Sequence, residues 1–372
     1  MKKKVLIIGG GITGLSCAKL LSLYGWKVEI WGGPSLHKPP VVINDSTRDL
    51  LDEIWKLPDL WSDAFPLKER KIIWGKTSTI TTIEQPSVSI QATELIRRLY
   101  CELNSQTSCG IHFKDNTNNL QILLRQGNLN KLNQEFSWII DAGGRKSQLS
   151  QLISNKKHIL FGKRQVISTK VELTGNSNRD VNWMETVKSG WLFLAPLSQQ
   201  TALLQAMIPE IAGCPLTTLL ELLKKTKWIK EQIDPKLDTQ PVLFNAAPSI
   251  SLPLCGEKWI SIGDAACSFD PICGDGIGYA LREIFLATAI INGAETEFPV
   301  DEVLNHFSMR LHKTFYSHID QCIKYYSEGF DYSISWKDEI ENMRNTLQNY
   351  TNKLPLRNHF NYQLRGAKLV KL

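Results

Sequence analysis

The residues best suited to chemistry fall in two glycine-bearing stretches far apart in the chain. Upstream stands Gly9-Gly10-Gly11-Ile12-Thr13-Gly14; downstream, residues 263–276 read GDAACSFDPICGDG. The upstream motif follows the apolar run Val5–Ile8 and opens the helical run Leu15–Leu23. Strand, tight turn and helix are the context in which G-x-G-x-x-G cradles a dinucleotide. Glycine at 9 permits the turn, glycine at 11 lets the backbone approach a pyrophosphate, and glycine at 14 lets helix and strand pack closely. A phosphate then rests on the positive N-terminal end of the helix. This motif alone fits NAD, NADP or FAD.

The downstream stretch narrows the choice. Lys258–Ile262 (KWISI) reads as a buried strand ended by Gly263-Asp264, whose carboxylate can accept hydrogen bonds from a ribitol hydroxyl. Pro271-Ile272-Cys273-Gly274-Asp275-Gly276 then leads into a helix over Ile277–Ile291. A second helix N-terminus, with glycines that admit a flat ring, suits the pyrimidine edge of an isoalloxazine. Between the two lies a third segment, Trp138-Ile139-Ile140-Asp141-Ala142-Gly143-Gly144-Arg145-Lys146-Ser147, an apolar strand ending in Asp-Ala-x-Gly-Arg-x-Ser.

In order and content the three motifs resemble the FAD-dependent aromatic hydroxylase and tryptophan-halogenase-like flavoprotein superfamily, whose distal fingerprint is G-D-A-A-x-x-x-x-P-x-x-G-x-G. The resemblance implies an α/β fold: a Rossmann-like FAD-binding domain of aromatic hydroxylase type, an antiparallel β-sheet substrate domain and a helical C-terminal tail. It also implies non-covalent FAD, rather than attachment through Cys267 or Cys273. The implied cofactor contacts are Gly9, Gly11, Gly14, Arg97, Asp141, Gly263, Asp264, Pro271, Gly274 and Gly276. The reaction would draw on O2 and an external reductant, with NAD(P)H the candidate although no separate motif for it exists.

Two positions depart from the family pattern. The strand Lys27–Trp31 should end in an acid that holds the adenosine ribose, yet that position is Gly32, and Glu29 falls on the opposite strand face. Losing one charge-assisted hydrogen bond costs about 1.5–3 kcal/mol, so the FAD is expected to be held loosely. The helix Ala92–Leu103, which carries Arg97 and Arg98, opens after Gln91 where the family commonly has an arginine.

At 372 residues the chain exceeds one hydrophobic core and suggests intertwined domains. The expected division is 1–160 for the first part of the FAD-binding domain, with an excursion over 34–70. Residues 161–240 form the substrate domain, 241–300 the second part of the FAD domain, and 301–372 a helical region. Within this map Asp45–Trp55 is a helix capped by Asp45 or Ser46, and Ile72–Ile90 is strand-like. Val166–Leu173, Val181–Val187, Gly190–Leu197 and Thr201–Ile208 are short β-rich runs spaced by polar turns, the pattern of an antiparallel sheet. Residues 212–235 read as helix. From Asp301 onward, Leu304, Phe307, Leu311, Phe315, Ile319, Ile323 and Tyr326 recur at helical spacing and predict a core-facing stripe.

Hydrophobic content of 42% and charged content of 22% are those of a globular enzyme. A net charge of +6, spread along the chain, is no nucleic-acid footprint. No apolar run reaches the roughly 18 residues of a membrane span. The glycine motif accounts for the apolar run after Met1-Lys2-Lys3-Lys4, so the expectation is a cytoplasmic chain. Cysteines 17, 101, 109, 214, 255, 267, 273 and 322 show neither C-x-x-C pairs nor metal spacing and read as reduced thiols.

No Ser-His-Asp or metal constellation stands out, so the resemblance leaves the hard chemistry to the flavin, which with oxygen hydroxylates electron-rich rings or, with halide, halogenates them. The halogenase motif W-x-W-x-I-P is matched only in part by Gly190–Leu197: Trp191 and Pro196 are kept, while Phe193 and Ala195 replace the second Trp and the Ile. The halogenase turn P-x-x-S-S-G is Pro271-Ile272-Cys273-Gly274-Asp275-Gly276 here, and an anionic Asp275 would repel a halide. Lys71 and Lys76 could replace the halogenase lysine but read as solvated side chains. Trp191, Phe193 and Pro196 are expected to face the flavin, with Cys273 and Asp275 at its active edge; Trp191, Cys273 and Asp275 are the catalytic candidates.

The tail segment Tyr325-Tyr326-Ser327-Glu328-Gly329-Phe330, followed by Ser335-Trp336-Lys337, resembles a stretch of halogenase-like flavoproteins. With the degenerate halogenase motifs, the chain is most similar to the flavoproteins that mature the cysteine tryptophylquinone cofactor of lysine- and glycine-oxidase-type enzymes. That branch implies hydroxylation of a tryptophan in a partner, the precursor of a quinone-cofactor amine or amino-acid oxidase. The alternatives are a hydroxylase or, less favoured, a halogenase of a small aromatic metabolite, a prenyl-chain reductase, and a non-catalytic flavoprotein chaperone.

Overall fold

The computed structural model describes residues 3–34, 38–77, 79–105, 110–114, 129–147, 149, 157–210, 213–234, 240–352 and 360–372. Among them eight α-helices occur: α1 (Ile12–Leu23), α2 (Asp45–Trp55), α3 (Ala92–Ser105), α4 (Leu129–Glu135), α5 (Pro215–Lys225), α6 (Gly276–Thr296), α7 (Val300–Gly329) and α8 (Ile334–Thr351). None is long and apolar enough to cross a membrane.

A six-stranded sheet carries the dinucleotide motifs. Its order is Cys255–Gly256, Trp259–Ser261, Trp138–Asp141, Lys4–Ile8, Lys27–Trp31, Ile111–Lys114, parallel except at the first pair. Val5, Leu6 and Ile7 are all fully buried, because a parallel strand covered on both faces has no wet side. One face packs on α1, α3 and α6; the other closes over Leu132, Phe136 and Trp259. The helix α1 is buried from Gly14 to Leu21, as expected for a helix apolar on all sides.

The second sheet has eight strands: Val242–Asn245, Gln165–Glu172, Thr201–Ile208, Gly190–Pro196, Val181–Val187, Phe65–Ile73, Thr81–Ile90 and Val41–Asn44. It is antiparallel except where Phe65–Ile73 lies parallel to Val181–Val187. It is therefore wider than the expected 161–240 segment, drawing strands from the 34–70 excursion, from Thr81–Ile90 and from beyond residue 240. The long strand expected over Ile72–Ile90 is two strands. Alternation along Gly190–Pro196 puts Trp191, Phe193 and Ala195 into the main core, and Leu192 and Leu194 into a separate core with Leu219, Leu222 and Leu223 of α5.

Two local expectations change. The helix α2 is capped by Asn44, whose side chain accepts from the Thr47 amide at 2.9 Å, because the helix begins at Asp45, one residue earlier than capping by Asp45 requires and two earlier than capping by Ser46. The helical tail ends in a hairpin, Tyr362–Arg365 with Lys368–Lys371, turning at Gly366 with φ +56°. Tyr362 donates to Glu302 at 2.8 Å and packs on Phe298, which fixes this hairpin against the α6–α7 corner. The predicted stripe of α7 is buried throughout, from Leu304 to Tyr326. Seven cysteines are free thiols; Cys109 lies outside the described residues.

One buried charge cluster ties the sheets to the tail. Arg164, fully buried, pairs with Asp270 at 2.9 Å and Glu339 at 2.6 Å. Tyr326 donates to Asp270 at 2.8 Å, and the Lys163 amide donates to Glu339 at 2.9 Å. Removing one partner of such a cluster leaves the others charged and dry. Arg164→Ala should therefore cost about 3–5 kcal/mol of stability, read as a shifted urea midpoint.

His312 and His318 are also buried, and burial holds both down at about 4, against 6.5 unfolded. A histidine with a lowered native pKa binds fewer protons folded than unfolded, so its stability contribution is lost as pH falls from 6.5 toward 4. Unfolding followed across that window should show the loss, and a double His312→Gln, His318→Gln variant should have the shallower slope.

Candidate functional site

The three sequence motifs meet at the ends of the parallel strands. Gly9, with φ +119°, donates to the Trp31 carbonyl at 2.8 Å, and a Cβ there would collide with the Ala142 carbonyl of the middle motif. A Cβ on Gly14 would strike the Gly9 carbonyl, so this glycine sets the close helix–strand approach. Gly11 is different: a Cβ built on it meets nothing within 4 Å. The N-terminus of α1 has no side-chain cap and no acid in its first turn. Bare backbone at an uncapped helix N-terminus is a cradle that a pyrophosphate completes. The residues present thus fit a dinucleotide such as FAD.

The distal motif is pinned against the first. Gly263, at φ +60°, sits where a Cβ would lie 3.0 Å from Thr13, and its amide donates to Glu283 of α6 at 2.6 Å. Burial drives the Glu283 carboxyl well above its ordinary range. Arg145 of the middle motif donates to the Ala247 carbonyl at 2.7 Å and lies 3.6 Å from Asp264. Asp264 is half-exposed and open to a ligand. Asp141 is fully buried and accepts from the Gly143 amide and the Ser147 hydroxyl, at 3.1 and 2.6 Å, shaping the turn from inside.

A cavity of about 330 Å³ opens beside these motifs. Met184, Trp191, Phe193 and Gln205 of the eight-stranded sheet form one wall, and Pro271, Ile272, Gly274, Asp275 and Gly276 form the other. Structure thus brings together Asp264, Pro271, Gly274, Asp275, Gly276 and Trp191 from the sequence candidates. Pro196 stays apart: alternation turns it from the Trp191–Phe193 face, and its carbonyl accepts from Ser89. Arg97 lies on the exposed side of α3, held bidentately by Glu94 at 2.8 and 2.7 Å, and does not line the cavity.

Two catalytic candidates have their atoms engaged. Asp275 accepts from Asn44 at 3.3 Å, Thr47 at 2.5 Å and Arg282 at 2.8 Å, joining α2 to α6. Arg282 compensates its charge, so repulsion from Asp275 does not argue against a bound halide. The Cys273 thiol donates to the Asp270 carbonyl at 3.1 Å, and burial pushes it up to about 12, so it stays protonated. Lys71 sits with Glu69 and over Trp183, while Lys76 pairs with Asp331 on the surface; neither lines the cavity.

Glu29 is confirmed on the far face of its strand, paired with Lys114 at 2.9 Å and Lys4 at 3.2 Å and accepting from the Trp31 indole at 2.7 Å. Gly32 and Gly33 instead pack their carbonyls on Gly10, leaving no acid at the ribose position. The tail motif has a supporting role. Tyr326 and Phe330 each stack on Trp336, at 4.7 and 4.2 Å between ring centroids, and Tyr326 reaches Asp270 directly before the Pro271 turn. Sequence reading passed over Arg70, which lines the cavity; a lone arginine in a strand carries no motif to flag it.

Asp264→Ala should yield folded but colourless protein. Retention of stoichiometric flavin absorbance by that variant would remove Asp264 from the cofactor site.

No family model matches the chain. A protein of Marinomonas mediterranea named LodB and described as an FAD-dependent oxidoreductase is 24% identical over 151 residues, which is 39% of this chain and 41% of that relative. The match thus spans less than half of the relative's length. Solved structures agree over far more. The myxobacterial chondrochloren halogenase CndH superposes with a TM-score of 0.74 at 15% identity, covering 98% of this chain and 93% of that one. The flavin-dependent halogenase CmlS gives 0.75 at 14%, covering 96% and 71%. QhpG, a peptidyl tryptophan dihydroxylase essential for tryptophylquinone cofactor biogenesis, gives 0.72 at 14%, covering 100% and 86%. The chain has the mixed α/β fold of the FAD-dependent halogenases and hydroxylases.

Proposed function

We propose that this chain is an FAD-dependent monooxygenase that hydroxylates a tryptophan side chain held in a partner polypeptide, the precursor of a quinone-cofactor oxidase. The observation that carries the reading is the cavity lined by Arg145 of the middle motif and Asp264 to Gly276 of the distal one, and walled by Met184, Trp191, Phe193 and Ile272. At about 330 Å³ it lies near the lower end of the ~300–1,000 Å³ typical of ligand pockets, a size that suits one aromatic group. The likeness to QhpG across the whole chain and the partial match to LodB support the same reading.

FAD would lie along Gly9, Gly11 and Gly14, with Asp264 near its ribitol and the Pro271–Gly276 turn against its pyrimidine edge. When bound and reduced, it supplies oxygen transfer from O2 to an electron-rich ring. The protein's own residues do the rest. Trp191 and Phe193 form an apolar face on which an indole can lie, and the same face keeps water from the reacting ring. Asp275, held by Thr47, Asn44 and Arg282, sets the spacing between α2 and the α6 N-terminus. Cys273, as a protonated donor, fixes the turn that carries Gly274.

The second reading is hydroxylation of a free aromatic metabolite, which the modest cavity size would also accommodate. Halogenation is less favoured, because the halogenase turn is replaced at Cys273-Gly274-Asp275 and neither Lys71 nor Lys76 reaches the cavity.

Mass spectrometry of a candidate oxidase precursor, expressed with and without this protein, separates these readings. An oxygen-dependent gain of oxygen mass on one tryptophan, present only with the flavoprotein, is the expected result. Equal maturation without it, or efficient halogenation of free tryptophan, rejects the proposal.

A further inference from the structure

Arg70 stands on the strand Phe65–Ile73 and lines the same cavity. Its Nε donates at 2.9 Å to Oδ1 of Asn182, a fully buried residue directly across the sheet. Its guanidinium carbon lies 5.7 Å from the centroid of the Phe193 ring. The two terminal nitrogens reach toward the Pro271–Gly276 turn, with Nη2 3.3 Å and Nη1 3.8 Å from where a Cβ on Gly274 would stand.

None of the three acids lining this cavity is paired with Arg70, and only Asp264 stays half-exposed. Asp264 faces Arg145, Asp270 holds Arg164, and Asp275 holds Arg282. Among the described residues no carboxylate lies within ion-pair distance of Arg70, although burial pulls its pKa down. Arginine stays protonated in such a setting, so the cavity carries one cation that the fold leaves uncompensated. Asn182 fixes Nε, which leaves the terminal fork to face an incoming group edge-on, the geometry that matches a carboxylate bidentately.

We infer that Arg70 reads a carboxylate on the substrate, so that the favoured target is an aromatic group presented beside an acidic group, here an indole with an acidic residue next to it in the partner. This deepens the reading given under Proposed function and rests on it for the indole, while the carboxylate comes from Arg70 alone. Asn182 is the residue that positions Arg70. Phe193, under the guanidinium plane, supports the same orientation.

The test is a comparison of two probes that differ in charge and little else, indole-3-acetate and indole-3-acetamide, titrated calorimetrically into the flavin-loaded protein. The acid should bind about 10- to 100-fold more tightly than the amide. Arg70→Met should erase that difference, and Arg70→Lys, which keeps the charge but not the fork, should retain part of it. Equal binding of both probes to the wild-type protein overturns the inference without need of any variant. So does a preference that survives Arg70→Met, absence of binding by either probe at millimolar concentration, or a variant whose defect is loss of flavin with the acid preference intact. An acid preference combined with an unmodified precursor would remove the peptide substrate and leave the carboxylate site standing.

Discussion

Arg164 is the constraint on which the rest of the arrangement depends. A guanidinium with no exposure to water is tolerable only if carboxylates meet it with good geometry, and Asp270 and Glu339 come from segments far apart in the chain. Asp270 directly precedes the Pro271 turn, so the ion cluster fixes where the second glycine motif can lie. Glu339 belongs to α8, so the same cluster docks the tail beneath that turn. Gly162 shows how tight the packing is: a Cβ there would overlap the Glu339 carboxylate. The aromatic stack of Tyr326, Phe330 and Trp336 completes the support, with Tyr326 adding a hydrogen bond to Asp270.

Above that foundation, the three motifs hold one another through backbone contact more than through side chains. Gly9 lies on Ala142, Gly14 on Gly9, and Gly263 on Thr13, each approach closer than a side chain would permit or requiring a positive φ. The Ala142 amide donates to Ile8 and the Ile262 amide to Asp141, both at 2.8–2.9 Å, which stitches the three strand ends into one rim. Glu283, whose carboxyl burial pushes well above its ordinary range, accepts the Gly263 amide and links that rim to α6. A ligand lying along the rim would meet bare backbone at Gly11, at Gly144 and at Gly276, where nothing stands within 4 Å of an added Cβ.

The cavity exists because two sheets of different logic meet there. The parallel sheet is buried on both faces and ends in loops; the eight-stranded sheet separates two cores and offers one apolar face toward those loops. Trp191 and Phe193 share that face by alternation, and Arg70 reaches the cavity from Phe65–Ile73. The result is a slot with an apolar, aromatic wall, lined also by Arg70 and Arg145. That is the combination expected where polar groups give orientation and apolar walls supply most of the affinity.

The sequence by itself determined the parts whose signals are local. Glycine spacing between an apolar strand and a helix marked Gly9, Gly11 and Gly14, and periodicity marked the buried stripe of α7, because both follow from backbone geometry within a few turns. The missing acid at Gly32, and the orientation of Glu29 away from it, were legible for the same reason: alternation is a property of one strand. What only the tertiary structure decided depends on partners remote in the chain. Val41–Asn44, Phe65–Ile73 and Thr81–Ile90 read as strands or excursion without revealing that they extend the eight-stranded sheet, since pairing register is not encoded in one strand's own pattern. Asp275 read as a catalytic acid until Thr47, Asn44 and Arg282 converged on it, and no motif marked Arg164, whose role comes from Asp270 and Glu339 closing around it. A charged side chain's role is set by which opposite charges the fold brings within reach, and that distance exists only once the chain has folded.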